Sequence, residues 1–194
     1  RGGSFKQEIG AWGFLKSTIS YNTGLIMDDK LALSAALVRK TGDGYYAGTW
    51  TDAWAYFFGG TYNLNEKNTL QFYALGAPQR HGQNLYRQNI GVYDMEFASS
   101  IDSYSQDAID NVEEAGRDYS QTSSAVSDEV ASLLGDQQFE MYTEYTGERH
   151  EDNLINEREN FFHKPQAAIN HYFSISDDAK LISSLYWSGG MGGG

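Results

Sequence analysis

Strict apolar–polar alternation, interrupted by short polar turns, constrains this chain more than any other feature. Residues 19–72 run through four apolar stretches. In the first, Gly13 to Ile26, Ile19, Tyr21 and Leu25 share one phase, and Lys16, Ser20 and Asn22 the other. The second sets Leu31, Leu33, Ala35 and Leu37 against Ala32, Ser34 and Ala36. The third sets Trp54, Tyr56, Phe58 and Tyr62 against Ala55, Gly59, Thr61 and Asn63. The fourth sets Leu70, Phe72 and Ala74 against Thr69, Gln71 and Tyr73. A period of two places successive side chains on opposite faces of a sheet, so each stretch predicts a strand with one apolar face. An earlier strand is expected in FKQEIGAW.

The punctuation is as regular as the strands. MDDK (Met27–Lys30) and NEKN (Asn65–Asn68) are tight polar turns, whereas Thr41 to Asp52 is longer and carries Gly42, Gly44 and Gly48. Alternation resumes at Gln166: Ala167, Ile169, Phe173 and Ile175 stand against Gln166, Asn170 and Ser174. The SDDAK turn (Ser176–Lys180) then leads into LISSLYWS, with Leu181, Leu185 and Trp187 in phase. Short turns at one end and longer loops at the other predict an up-and-down sheet whose two ends meet different surroundings.

Between these halves the pattern breaks. Residues 82–160 show no sustained alternation and are acidic and amide-rich, so we expect one long, partly helical loop. Asp128–Leu134 has helical spacing behind a possible cap at Ser127. The expected organisation is strands over 1–81, the long loop over 82–160, and strands again over 161–194.

Composition supports β structure. Tyr (14), Phe (10) and Trp (4) supply an unusual share of the apolar residues, with 21 Gly and only 2 Pro. A net charge of -12 argues against a nucleic-acid partner. No cysteine is present, so disulfide and thiolate chemistry are excluded. No apolar run reaches the ~18 residues of a membrane helix, but a spanning β-strand needs only ~9–11 alternating residues. The chain opens on RGGSFKQEIG and stops at GGMGGG, and is expected to be a piece of something longer.

Two architectures fit the alternation. A soluble β-sandwich binding or adhesion module with an acidic insertion would alternate too. Aromatic residues near strand ends, polar or small residues on the opposite faces, and loops gathered at one end favour a transmembrane barrel. About six or seven strands fall short of the ~8 of the smallest such barrels, so the expectation is a wall segment of a larger one. Ile19, Tyr21, Leu25, Trp54, Tyr56, Phe58, Leu70, Phe72, Ile169 and Phe173 are expected to face lipid, and the three tight turns the periplasm.

EIGAWGF, SYNTGLI, TGDGYYAGTWTDAWAYFF, FYALGAPQRHGQ and ENFFHKPQAAINHYF resemble the barrel of TonB-dependent outer-membrane receptors of the Bacteroidetes type; GAPQRHGQ and FFHKPQ are the most specific. The resemblance covers residues 5–83 and 157–194. It implies an all-β antiparallel segment of a barrel of about 22 strands closed by a plug, in the outer membrane of a Gram-negative bacterium, importing a scarce nutrient such as a glycan, siderophore or peptide. It also implies TonB as partner through parts outside this sequence. The rest of the receptor, lipid and lipopolysaccharide, and a surface lipoprotein complete the expected partners.

No catalytic arrangement stands out, and neither a cofactor nor a metal is expected. A hydrolase built on the loop carboxylates is the weakest reading, since solvated charge explains DNVEEAGRD and GERHED. His81, His150, His163 and His171 are scattered, with His163 and His171 expected on one strand face but too far apart for one metal. GGMGGG lacks the Lys and helix of a phosphate loop. The candidate ligand contacts are loop aromatics and nearby cations: Tyr45, Tyr46, Trp50, Arg80, Tyr86 and Arg87. Aromatic faces stack on sugars or chelate rings, and a guanidinium meets a carboxylate.

Overall fold

The computed structural model describes residues 1–125, 154–156 and 158–194. It divides into two units: residues 1–41, 52–80 and 161–194, and residues 42–51 and 81–160.

The first unit is built on an antiparallel sheet. Its strands are β1 (Gly2–Ile9), β2 (Leu15–Ile26), β3 (Leu31–Asp43), β4 (Trp50–Asn65) and β5 (Asn68–Gly76), then β10 (Gln166–Ser174) and β11 (Lys180–Ser188). They lie side by side in that order, so β10 takes the place beside β5 that a simple meander would give the next strand. The whole excursion of 77–165 is an insertion at one end of a single β5–β10 hairpin. β2–β3, β4–β5 and β10–β11 turn at the opposite end. Three shorter strands join the sheet, β6 (Gln79–Gly82), β9 (Glu159–His163) and β12 (Met191–Gly193), with β12 paired to β9 and β6 beside β4.

Register decides which side chains share a face. Phe5, Ile19 and Leu37 lie in one row across β1–β3. Gly60, Phe72, Ile169 and Leu185 form the equivalent row across β4, β5, β10 and β11. The alternate row is Thr61, Gln71, Asn170 and Ser184. One face is therefore apolar and aromatic, and the other is mostly small, hydroxyl and amide. A Cβ on Gly60 would meet the Leu33 side chain at 2.7 Å, which puts Leu31, Leu33, Ala35 and Leu37 on that same apolar face. The sheet has no second layer to bury this face among the described residues. Phe58, Ile169, Leu185 and Trp187 are exposed, and the buried hydrophobic residues among those described are Trp50, Ala53, Ala98 and Ala168.

Two expectations need correction. Between Asn22 and Leu25 the β2–β3 register shifts, with Gly24 at φ 64°. Thr23 turns its hydroxyl inward to accept from the Leu33 amide at 2.9 Å. This bulge pairs Leu25 with Ala32, so Leu25 is out of phase with Ile19 and Tyr21. His163 and His171 do not share a strand face, because they stand on β9 and β10. His163 meets the Tyr56 hydroxyl at 3.0 Å and His171 the Asn68 amide oxygen at 2.8 Å.

The tight turns close by different means. In MDDK, Met27, Asp28 and Asp29 all take positive φ (54°, 54° and 62°), and the Lys30 amide donates back to the Ile26 carbonyl at 3.1 Å. In NEKN, the Asn65 side-chain oxygen accepts from the Lys67 amide (3.0 Å) and the Asn68 amide group (2.9 Å). Before β2, the Gly10 amide reaches the Phe14 carbonyl at 2.9 Å, which is why the strand opens at Leu15 rather than Gly13.

The second unit holds three short helices, α1 (Ile90–Tyr93), α2 (Met95–Ser99) and α3 (Gln106–Asp110), and the hairpin of β7 (Ser123–Ala125) with β8 (Leu154–Asn156). Asn89 and Asp94 cap α1 and α2 by accepting from the Gly91 and Phe97 amides, both at 2.9 Å. The helix expected at Asp128–Leu134, and His150, lie outside the described residues.

Candidate functional site

The loop of residues 42–51 is closed by its own backbone and then tied to distant segments. The Gly44 amide donates to the Thr49 carbonyl at 2.7 Å. The Ala47 amide donates to the Asp118 carbonyl, also at 2.7 Å, and the Ser123 hydroxyl to the Ala47 carbonyl at 2.8 Å. Gly48 needs its positive φ of 67° and its bare Cα here, because a side chain would strike Ser123. The Asn156 amide group spans the Gly48 carbonyl (2.8 Å) and the Gln83 carbonyl (3.1 Å). Thr122, buried, donates to the same Gln83 carbonyl at 2.8 Å.

This framework sorts the candidate residues. Trp50 is only 5% exposed, and a Cβ on Gly82 would stand 3.0 Å from its indole nitrogen. The ring therefore packs inside the unit and presents no face to solvent. Tyr45 and Tyr46 are 44% and 38% exposed. Their rings meet edge to face with centroids 5.2 Å apart, and Tyr46 lies 6.0 Å from Tyr93. Edge-to-face packing holds each ring by its neighbour and leaves the outer surface of the group open.

Arg117 stands beside this aromatic group and hydrogen-bonds Asp94. The Phe97 amide first, and Arg117 second, hold the Asp94 carboxyl below its usual range, and Asp94 in turn raises Arg117. The Asp94 pair thus fixes the cation at the start of α2, next in sequence to the Tyr93 ring. Sequence reasoning missed Tyr93, Asp94 and Arg117. The signal available was the Asn89 and Asp94 cap pair, which fixes where the Tyr93 ring emerges.

Tyr86 and Arg158 form a second group. The guanidinium lies 5.2 Å from the ring centroid and also hydrogen-bonds the phenol oxygen. Arg87 is exposed nearby in sequence. Arg80 lies on β6 and belongs to the sheet unit rather than to the loops. The structure therefore brings Tyr45 and Tyr46 together, sets Tyr86 with Arg158, removes Trp50 into the packing, and assigns Arg80 to the sheet unit.

Within the sheet unit, the apolar face ends in polar groups at the C-terminal end of β3 and the N-terminal end of β4. Arg39, in phase with Leu37, binds Asp52 through both guanidinium nitrogens, one at 2.9 Å, and lies 5.0 Å from the Trp54 ring centroid. Gln7 and Ser17 continue that level, joined at 2.7 Å.

No protein-family model matches the chain, and no curated protein sequence matches it. Among solved structures it is similar to the ferric-catecholate import receptor Fiu from E. coli K12, in its open form, with a TM-score of 0.58 and 13% identity. The match covers 98% of this chain and 24% of the receptor chain, so the chain spans about a quarter of that receptor's length. At this identity the likeness speaks to fold. The chain is an all-β segment of an antiparallel barrel wall, with its sheet unclosed.

Proposed function

We propose that the chain is part of the wall, with its external loops, of a TonB-dependent outer-membrane transporter that binds and imports a scarce nutrient. The observation that carries this reading is the uncovered apolar face of the sheet. Each large apolar side chain left in water forgoes about 1.5–3 kcal/mol of burial, and many stand in rows on this one face. A soluble sandwich would cover that face with a second sheet. Lipid covers it without one. The opposite face, with Thr61, Gln71, Asn170 and Ser184, suits a hydrated or plugged lumen. The likeness to an import receptor supports the same reading.

In this reading the MDDK, NEKN and SDDAK turns face the periplasm, and the inserted loops stand outside. Tyr45, Tyr46 and Tyr86 offer rings for stacking on an arriving ligand, with Arg87 as a cation. TonB, lipopolysaccharide, the remaining receptor chain and a surface lipoprotein are the partners. The test fractionates cells that make the full-length protein. It should sediment with the outer membrane, need detergent for extraction, and migrate differently before and after boiling. A full-length protein that is monomeric in buffer without detergent would reject the proposal. Deleting residues 100–150 should spare insertion and impair ligand capture; loss of insertion would place the loop in the wall.

A further inference from the structure

Charge on the polar face of the sheet is concentrated in one place. Register sets Glu8, Lys16 and Lys40 in a single row across β1, β2 and β3, with Lys6 two residues from Glu8 on the same face. The rest of that face on these strands is Ser4, Thr18, Ser20, Asn22, Ser34 and other neutral residues. In a chain of net charge -12, this row and the adjoining Lys6 carry three lysines and one carboxylate. Lys6 and Lys16 both reach Glu8, each at 3.1 Å. One anion is thus shared between two ammonium groups. Lys40 makes no ion pair among the described residues, yet it stands directly opposite Lys16.

Like charges directly opposite each other across strands are destabilising. Neighbouring strands lie only ~4.8 Å apart, so the row is compact enough for two ammonium groups to meet one ligand group. Nothing in the hydrogen bonding of β1–β3 requires lysine at either position, because the ladder uses backbone groups alone. The Glu8 pairs account for Lys6 and Lys16, whereas no ion pair among the described residues accounts for Lys40 opposite Lys16; a requirement for positive charge does.

We infer that Lys6, Lys16 and Lys40 form an anion subsite on the polar face, near the loop ends of β1–β3, that takes a multiply charged carboxylate, phosphate or sulfonate. This deepens the transport reading, on which the placement of that face in the lumen rests; it makes the imported ligand anionic. Glu8 acts as a counter-ion that an arriving anion displaces from Lys6 and Lys16.

The test titrates the purified full-length protein with the trisulfonated dye pyranine and follows fluorescence anisotropy at fixed salt. Lys16→Gln combined with Lys40→Gln should weaken binding roughly two- to thirtyfold, the range for two exposed ion pairs. Glu8→Gln should strengthen it. Lys30→Gln with Lys67→Gln, which removes the same charge at the turns, should leave it unchanged. Unchanged binding in the first variant, or equal weakening in the turn variant, overturns the subsite. An unchanged circular-dichroism spectrum and thermal transition of each variant show that the fold survives. The titration reads the lysine row whether or not the protein sediments with membranes, so failure of the transport reading and failure of the subsite are told apart.

Discussion

Replacing Ile169 by Arg, and separately its neighbour Asn170 by Arg, asks which face of the sheet meets lipid. Ile169 is 51% exposed and lies between Phe72 and Leu185 in its row. Asn170 lies between Gln71 and Ser184. An Arg on the lipid side near mid-bilayer costs about 2–4 kcal/mol, and one on the lumen side far less. The first substitution should therefore lower the folding equilibrium by roughly 30- to 1,000-fold at 1.4 kcal/mol per tenfold. The second should change it little. The assay is urea unfolding of the full-length protein in lipid vesicles, read by the heat-modified band. Phe58 and Gly59 are a poorer pair, because a Cβ on Gly59 would meet the Phe72 carbonyl at 3.0 Å and the Phe57 ring at 2.9 Å. A loss at Gly59 would report crowding instead of lipid. Equal costs at Ile169 and Asn170 would refute the assignment of faces.

Cysteines at Asp29 and Asn65 should resist a membrane-impermeant thiol reagent on whole cells, while one at the exposed Leu85 should react; labelling at Asp29 would invert the topology. Met27→Gly should stabilise the β2–β3 hairpin by about 1 kcal/mol, since Met27 holds a positive φ and is exposed; a lower urea midpoint would contradict this. Asp94 has a native pKa below its unfolded value, so its stabilisation of α2 is fully present above about pH 3.9 and is lost as pH falls through the lower native value. The protection factor of the Phe97 amide, which removes the intrinsic pH dependence of exchange, should fall as pH drops through that window, and Asp94→Asn should abolish the fall; an unaltered protection profile in the variant would sink the cap assignment.

The strands of the wall were legible because one apolar face leaves a period of two in the sequence, and the register keeps Ile19 with Leu37 and Phe72 with Ile169. Leu25 escaped that logic. One extra residue at Thr23–Gly24 reverses the phase, and alternation counts residues without seeing a bulge. β6, β9 and β12 are only 4, 5 and 3 residues long, too short to show a period. The helices at 90–110 likewise span 4 or 5 residues each, below one full amphipathic repeat, and their only local signals are the caps at Asn89 and Asp94. In the candidate site, Tyr45 and Tyr46 were legible as aromatics on a glycine-rich loop. The burial of Trp50 was not, because it depends on Gly82, remote in sequence. The pairing of Tyr86 with Arg158 joins residues 72 positions apart for the same reason.

The most direct measurement of the central claim is the accessibility of spin labels along the sheet rows in lipid vesicles. This chain has no cysteine of its own, so single cysteines can be placed at Ile19, Phe72 and Leu185, and at Ser20, Gln71 and Ser184. Labels on the first three should be relaxed by oxygen dissolved in the lipid and shielded from a water-soluble nickel chelate. Labels on the second three should show the reverse. If the chelate reached both sets equally, the sheet would not be a membrane wall, and the account would fail.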